Sequence, residues 1–301
     1  MTVAFISDLH VDFYVPAKLT GHKLDTKMDD FIENEMWLKN ADILVIAGDN
    51  SHYPQQNKLL LEKIAAKKMY KKIFVTFGNH DMYLISNAQK SKFDTSWDKV
   101  LDLKAICEEI DTVEFLDGNI VEVDGVKIGG VGMWYDFSYA KQVYNMKHFD
   151  IMHKWKDTMN DANLIVGKDY PKEINDSREA MYGGYGYKAY TFDPLDFFAK
   201  EQEKMLKIVE ECDIFISHIG PLVPPTLPVE YQNPVTAFYY FNGEWILNKE
   251  KAPKLWIFGH THDKYLWKHN NTVLACNPLG YKSENKNAEV EVLDLDDLPQ
   301  Y

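Results

Sequence analysis

Residues 3–10 read VAFISDLH, in which four apolar residues are followed at once by serine, aspartate, leucine and histidine. Two further stretches repeat this arrangement: residues 43–50 read ILVIAGDN, and residues 73–81 read IFVTFGNHD. Short runs rich in β-branched and aromatic residues, bounded by polar or glycine positions, are typical of strands buried on both faces of a layered α/β protein. We therefore predict three such strands, Val3–Ile6, Ile43–Ala47 and Ile73–Phe77.

Two stretches in the second half of the chain have the same build. Residues 214–218 read IFISH, and residues 255–262 read LWIFGHTH. They predict strands at Ile214–Ser217 and Leu255–Phe258. Adjacent parallel strands bring their carboxyl ends to one edge of a sheet, where ligands bind in open α/β proteins. We therefore expect the polar groups that follow all five strands to converge on one site.

Two of these stretches carry paired candidate ligands. Asp8 and His10, like His260 and His262, would point the same way if the chain were extended there. The five motifs together offer carboxylate, imidazole and amide groups but no thiolate, a set that favours Mn, Fe or Zn over a sulfur-bound structural zinc. Singly the motifs are weak, since Gly-Asp-Asn is also ordinary turn chemistry. All five in order, each after an apolar run, predict a metal centre.

The patterns between the strands predict the rest of the fold. Apolar residues at three- and four-residue spacing predict helices over Asp29–Lys39, Asn57–Tyr70 and Leu195–Glu211. Asp124-Gly125 predicts the turn of a hairpin formed by Ile120–Val123 and Val126–Val131. Further strands are expected at Lys264–Lys268, Thr272–Cys276 and Glu289–Leu293. We predict an α/β protein, a four-layer αββα sandwich of two mixed β-sheets flanked by helices. One domain is expected over residues 1–301, with a helical and loop insertion at 133–191 that forms a lid over the site.

The composition narrows the class of protein. The 301 residues are 46% hydrophobic, enough for a full core, and the formal net charge is −13. That charge argues against general nucleic-acid binding, which needs a basic face. Three cysteines far apart predict free thiols in a reducing compartment. We see no signal-peptide pattern and no apolar stretch of membrane-spanning length, so we expect a cytoplasmic protein with no membrane partner. Nothing in the sequence indicates an oligomeric state.

The ordered set Asp-x-His, Gly-Asp, Gly-Asn-His-Asp, His and Gly-His-x-His resembles the motifs of the calcineurin-like metallophosphoesterase superfamily. The similarity extends from Asp8 to His262, and residues 277–281, NPLGY, look like a segment often found after the last metal motif in that superfamily. The resemblance implies two metal ions, divalent or trivalent. It assigns the first ion to Asp8, His10, Asp49 and His262. It assigns the second ion to Asp49, Asn79, His218 and His260, so that Asp49 bridges the pair.

The resemblance also implies a reaction. A phosphodiester or phosphomonoester would be hydrolysed by a hydroxide held on the two metals, with His80 as general acid and phosphate contact. Asp81 would either orient His80 or stabilise the turn. The small phosphodiesterase branch fits best, because residues 49–53 read DNSHY and lack the arginine-containing motif of the protein Ser/Thr phosphatases. The expected partner is a small phosphorylated substrate, for example a nucleotide.

Four residues are candidates for substrate contact. Asn50 and His52 follow the second motif, where His52 either lines the cleft or is a loop histidine. Arg178, the one arginine of the chain, could clamp a phosphate from the insertion. Tyr185 lies in the stretch YGGYGY at residues 182–187, which could stack on a base or pack its loop on the body of the protein.

Two other functions stay open. A nuclease acting on single-stranded nucleic acid would use the same motifs, with the aromatic insertion as its binding surface. A scaffold that holds metals and binds a partner protein would show full metal occupancy without turnover. His80 favours an enzyme over the scaffold, because the scaffold members of the superfamily tend to lose this position.

Overall fold

The computed structural model describes residues 1–167, 192–284 and 289–300. Strands β1 to β11 span Thr2–Ile6, Ile43–Ala47, Lys72–Thr76, Val113–Phe115, Asn119–Val123, Val126–Gly130, Ile214–Ile216, Leu255–Phe258, Tyr265–His269, Thr272–Cys276 and Glu291–Asp294. Helices α1 to α11 span Val11–Tyr14, Gly21–Phe31, Pro54–Ala66, Asn79–Met82, Asn87–Lys92, Ser96–Glu108, Ser138–Tyr144, His148–Thr158, Asp161–Leu164, Pro194–Ile208 and Glu244–Leu247. A π-helical turn at Ile32–Met36 follows α2, and 3₁₀ turns lie at Val209–Glu211, Val229–Tyr231 and Pro234–Phe238.

Both sheets mix parallel and antiparallel strands. The first has strand order β11-β1-β2-β3-β4, with β1 to β4 parallel and β11 antiparallel at one edge. The second has strand order β5-β6-β7-β8-β10-β9, with a parallel centre and an antiparallel strand at each edge. The parallel strands β1, β2, β3, β7 and β8 are those that the motifs follow.

The two sheets pack face to face, and helices cover their outer faces. Val3 and Phe5 of β1 belong to one apolar cluster with Ile214 and Ile257 of the second sheet. The alternate residues of β1 and β2 belong to a second cluster that includes apolar residues of α3 and α6. Burial on both faces explains why β2, ILVIA, has no polar position. The predicted four-layer sandwich of two mixed sheets is confirmed.

The predicted hairpin is also confirmed. β5 and β6 pair antiparallel with Val123 opposite Val126. Asp124 and Gly125 both have positive φ, 50° and 81°, as a two-residue turn that matches the twist of its strands requires.

Two predicted helices are displaced. The helix predicted at Asp29–Lys39 covers the end of α2, which begins at Gly21, and the π-helical turn Ile32–Met36, and the chain leaves the helical conformation at Trp37, where φ is 49°. The helix predicted at Asn57–Tyr70 is α3, which begins at Pro54 and ends at Ala66. Pro54 suits the first helical turn, since the N–H it lacks would have no partner there. The first turns of both helices are mostly polar, so the sequence shows no apolar periodicity there from which the start of either helix could be predicted.

The predicted insertion is helical where the structure describes it. Residues 133–167 contain α7, α8 and α9, and α7 and α8 contact the 3₁₀ turn Pro234–Phe238. Residues 168–191, with the candidates Arg178 and Tyr185, lie outside the described residues. No helix in the described ranges is both long and apolar enough to cross a bilayer.

Candidate metal centre

The loops after β1, β2, β3, β7 and β8 meet at one place between the two sheets. They bring together the seven predicted ligands, six of which are almost fully buried, while His262 is partly exposed. Backbone hydrogen bonds tie the loops to one another: Asp8 donates its N–H to Gly48 O, and His10 donates to Asp49 O, at 3.1 and 3.0 Å. The expected convergence therefore occurs.

The prediction that Asp8 and His10 align through extended backbone is wrong. β1 ends at Ile6, and Asp8 and His10 have φ of 51° and 40°, in the left-handed region. His260 and His262 are also left-handed, with φ of 72° and 55°. The side chains of these two motifs therefore reach the site from tight left-handed turns and not from extended chain. Such backbone is rare outside glycine and is concentrated at functional sites.

The first group of donor atoms surrounds His10. His10 Nε2 lies 2.9 Å from His262 Nε2 and 3.7 Å from Asp49 Oδ2. His262 Nε2 lies 3.6 Å from Asp8 Oδ1. Asp8, His10 and His262 thus form one compact cluster of possible metal ligands, and Asp49 reaches it through His10, beside which the His80 ring also lies.

The second group surrounds His218. His218 Nε2 lies 3.4 Å from Asp49 Oδ2 and 3.2 Å from Asn79 Oδ1. Asn79 Oδ1 is also 3.0 Å from His260 Nδ1. Because Asp49 Oδ2 faces both His10 and His218, the two groups share this carboxylate.

The outward nitrogens of three histidines are already engaged with acceptors. Ligating histidines are usually oriented in this way, since a proton fixed on one ring nitrogen leaves the lone pair of the other for a metal. The acceptors are Ala47 O for His218 Nδ1 at 2.9 Å, Phe238 O for His260 Nε2 at 3.1 Å, and Glu284 Oε2 for His262 Nδ1 at 2.7 Å. The donor set therefore fits two oxygen- and nitrogen-ligated cations.

The electrostatics agree with that fit. Burial lowers the pKa of His10 and of His260 to about 3, so both rings are neutral. Burial would raise the pKa of Asp49, but the neighbouring His218 and His80 rings outweigh it and hold that pKa well below the usual range. Burial disfavours charge on His218, yet the Asp49 carboxylate raises its pKa to about 9. Positive charge is thus stabilised between His218 and Asp49.

His80 lies at the edge of this centre. Its backbone N–H donates to Asp49 Oδ1 at 2.9 Å, and its Nδ1 is 3.1 Å from His52 Nε2. His52 Nδ1 is 2.7 Å from Asp12 Oδ2. His52 thus contacts His80 and links it to a carboxylate that sequence reasoning missed. The position of Asp12, two residues after His10, was its only signal.

Asp81 and Asn50 are placed in the turn behind the ligands. Asp81 accepts backbone N–H bonds from Asp49 and Gly78, each at 2.9 Å, and from Asn50 at 3.1 Å. Asn50 donates its side-chain amide to Thr76 O at 3.3 Å and to Asp81 at 3.2 Å. Of the two roles open for Asp81, these bonds match stabilisation of the turn.

A cavity of about 610 Å³ opens beside the donor groups. Its floor includes His80, Asn79 and Asp49. Its walls include Leu227, Tyr231, Val235, Tyr239, Asp263, Tyr281 and Glu284, and, from the insertion, Thr158, Met159 and Asn160. Among the described residues that line it there is no lysine or arginine. Tyr281 belongs to the NPLGY segment, whereas Tyr231 and Tyr239, also in the walls, stand in no motif recognised in the sequence.

Gly48 keeps the backbone close to the ligands, and its replacement by alanine should show this. A Cβ at Gly48 would lie 2.5 Å from His218 Nδ1 and 2.9 Å from Gly78 N, at a φ of +86°. We expect Gly48→Ala to lower the free energy of unfolding by about 1–3 kcal/mol for the overpacking, beyond the cost of the left-handed backbone. Gly125→Ala is the matched control, because φ is +81° there and nothing lies within 4 Å. Equal losses in urea unfolding would contradict the role of close approach.

Comparisons with known proteins identify the family of this chain. The profile of the calcineurin-like phosphoesterase family, Metallophos, matches residues 1–264. The uncharacterized protein L509 of Acanthamoeba polyphaga mimivirus is 23% identical over 304 residues, which cover 98% of this chain and 96% of that protein. The structure of phosphopantetheinyl hydrolase, PptH, from Mycobacterium tuberculosis superposes with a TM-score of 0.63 at 16% identity, covering 100% of this chain and 97% of its own. That likeness shows a shared fold, and the profile match shows that this chain belongs to the calcineurin-like phosphoesterase family.

Proposed function

We propose that the protein is a phosphoesterase with a dinuclear metal centre, selective for small phosphodiesters. Membership of the family supports a metal-dependent hydrolase that acts on phosphoester bonds of small phosphorylated substrates. The observation that supports two ions is the position of Asp49 Oδ2, which faces His10 on one side and His218 on the other and so lies between two clusters of possible ligands.

The ligands in this proposal are those of the two groups. Asp8, His10, Asp49 and His262 would hold one ion, and Asp49, Asn79, His218 and His260 the other. Oxygen and nitrogen donors without thiolate suit Mn, Fe or Zn. Such a pair would neutralise phosphoryl charge and lower the pKa of water.

His80 is the proposed general acid. Its ring lines the cavity, and Asp49 holds its backbone. When His52 Nδ1–H donates a hydrogen bond to Asp12, His52 Nε2 can accept a hydrogen bond from Nδ1–H of His80. Nε2 of His80 is then free to donate a proton to the leaving oxygen. Burial lowers the pKa of His80 well below its usual value. The negative charge of a bound phosphate favours the protonated ring.

The lining of the cavity supports a diester. A phosphodiester carries one negative charge, whereas a monoester dianion brings a second. Asp263 and Glu284 line the cavity, and no lysine or arginine among its described residues offsets them. Either substrate would be attracted to two bound cations through its phosphoryl oxygens, and the carboxylates of the wall would then act against the second charge of the monoester. That repulsion is on the order of 1–2 kcal/mol for two charges about 10 Å apart, or roughly tenfold in rate.

We therefore expect metal-stripped protein to be inactive, and Mn²⁺ to restore hydrolysis of bis-p-nitrophenyl phosphate. The kcat/KM for this diester should exceed that for p-nitrophenyl phosphate about tenfold. Release of p-nitrophenolate measures both, with chelated protein as the blank. A monoester preference would contradict the charge argument. Protein that holds two ions and cleaves neither compound would support the scaffold, and cleavage of single-stranded DNA would support the nuclease.

A further inference from the structure

A buried carboxylate from the insertion lies directly behind the ligand Asn79. Asp161, at the start of α9, is fully buried. Its Oδ1 lies 3.0 Å from Asn79 Nδ2 and 2.5 Å from the Tyr83 hydroxyl, and its Oδ2 lies 2.6 Å from the Tyr135 hydroxyl. Carboxylates are rarely buried so completely without a partner that satisfies them.

The directions of these hydrogen bonds are fixed by one group that only donates and one that only accepts. The Trp155 indole N–H donates to the Tyr135 hydroxyl, so Tyr135 keeps its own proton for Asp161 Oδ2. A carboxylate oxygen accepts, so the Tyr83 hydroxyl and the Asn79 group that face Asp161 Oδ1 both donate to it, and that Asn79 group is the NH₂. The Tyr83 oxygen is then left to accept from Asn79 Nδ2 at 2.8 Å. Asp161 accepts three bonds, as suits an ionised carboxylate, although burial raises its pKa.

This arrangement determines which way the Asn79 amide faces. Both protons of its NH₂ group are engaged, one by Tyr83 and one by Asp161. Its oxygen is therefore turned toward His218 and His260. The flipped amide would set its oxygen against the Asp161 carboxylate, which is electrostatically unfavourable, and would present NH₂ to the metal side.

We propose that Asp161 is a positioning residue for the second metal ion: it holds the Asn79 amide oxygen toward that ion. The inference rests on the proposed function only in taking Asn79 as a ligand. It gives the insertion a role in the metal centre, since Asp161, Tyr135 and Trp155 all lie within residues 133–167. Partners of this kind change metal affinity about 10- to 100-fold when removed.

The test is the affinity of metal-stripped protein for Mn²⁺, measured by calorimetry and by the electron paramagnetic resonance of free Mn²⁺. Asp161→Asn keeps the size of the side chain, but the NH₂ group of the new residue can face Asn79. The Asn79 amide can then flip and turn its own NH₂ toward the metal side. We expect the Mn²⁺ site that Asn79→Ala weakens to lose about 10- to 100-fold in affinity and the other site to lose less than about threefold. The matched control is Glu201→Gln, a buried carboxylate bonded to Lys204 and Met133 N. It should leave both affinities unchanged.

A second comparison shows whether Asp161 acts through Asn79. In an Asn79→Ala background, Asp161→Asn should cost no further affinity. Tyr135→Phe, which removes one bond to Asp161 and none to Asn79, should weaken the second site less than Asp161→Asn does. Thermal unfolding in EDTA reports the fold separately.

An Asp161→Asn protein that binds two Mn²⁺ ions with unchanged affinities would overturn the proposal, whatever its melting temperature. So would equal losses at both sites, or losses that persist at full size in the Asn79→Ala background. Because the readout is metal binding, a wild type that binds two ions but hydrolyses no ester would refute the proposed function and leave this inference standing.

Discussion

Replacing His80 by alanine should lower kcat about 10²- to 10⁴-fold for diesters with an alkoxide leaving group, because such a group needs a proton as it departs. The same variant should lose less than about tenfold with bis-p-nitrophenyl phosphate, since p-nitrophenolate leaves without one. Both ions should stay bound, because neither donor group needs the His80 ring. Wild type and variant would be compared by ³¹P NMR on glycerophosphocholine and by absorbance on the aryl diester.

His153→Ala is the matched control for that experiment. His153 also lies on a helix, but it is exposed and pairs only with Asp157 among the described contacts. It should leave both rates unchanged. Equal losses of the His80→Ala protein on the two substrates would show that His80 binds phosphate rather than delivering a proton. Unchanged rates on both would remove His80 from the mechanism and reopen the scaffold hypothesis.

Most of the architecture could be predicted from sequence because its central strands are buried on both faces. β2 and β8 have the predicted bounds, and β1 and β7 differ by one residue at one end. Helix ends were less predictable, because polar first turns such as that of α2 carry no apolar period. The three-residue β4 is too short for a pattern.

The site was predictable where ligands follow strands in the chain, and less so where they meet through space. Asp8 and His262 stand in recognisable motifs, but the sequence suggested extended backbone at these residues and the structure has left-handed backbone there. Asp161 stands in a stretch without a motif, and only the folded insertion brings it to Asn79. The same holds for Glu284, which stands outside the five motifs, 22 residues after His262, and meets it only in the folded chain.

Asp49→Asn should have the other large effect, because Asp49 is the one residue that both donor groups share. Its Oδ2 lies 3.7 Å from His10 Nε2 and 3.4 Å from His218 Nε2, and asparagine offers that position no charge and a single oxygen. We expect the protein to hold at most one ion per chain. Turnover of bis-p-nitrophenyl phosphate should fall about 10³-fold or more, since the lost metal charge supplies several kcal/mol of transition-state stabilisation.

The variant should also be less stable without metal. The Asp49 carboxylate raises the pKa of His218, and the pKa of Asp49 itself is held well below its usual range, so at neutral pH its replacement leaves the buried His218 charge poorly compensated. The melting temperature in EDTA should therefore fall. Mn²⁺ at a hundredfold excess over Kd should add about 2.7 kcal/mol of stability for each bound ion, and should therefore raise the melting temperature of the wild type more than that of the variant, which holds at most one ion. Asp213→Asn is the matched control, because Asp213 precedes β7 at the end opposite the site and pairs with Lys254. An Asp49→Asn protein that still binds two ions and gains the same stabilisation would mean that the two donor groups do not depend on a shared carboxylate.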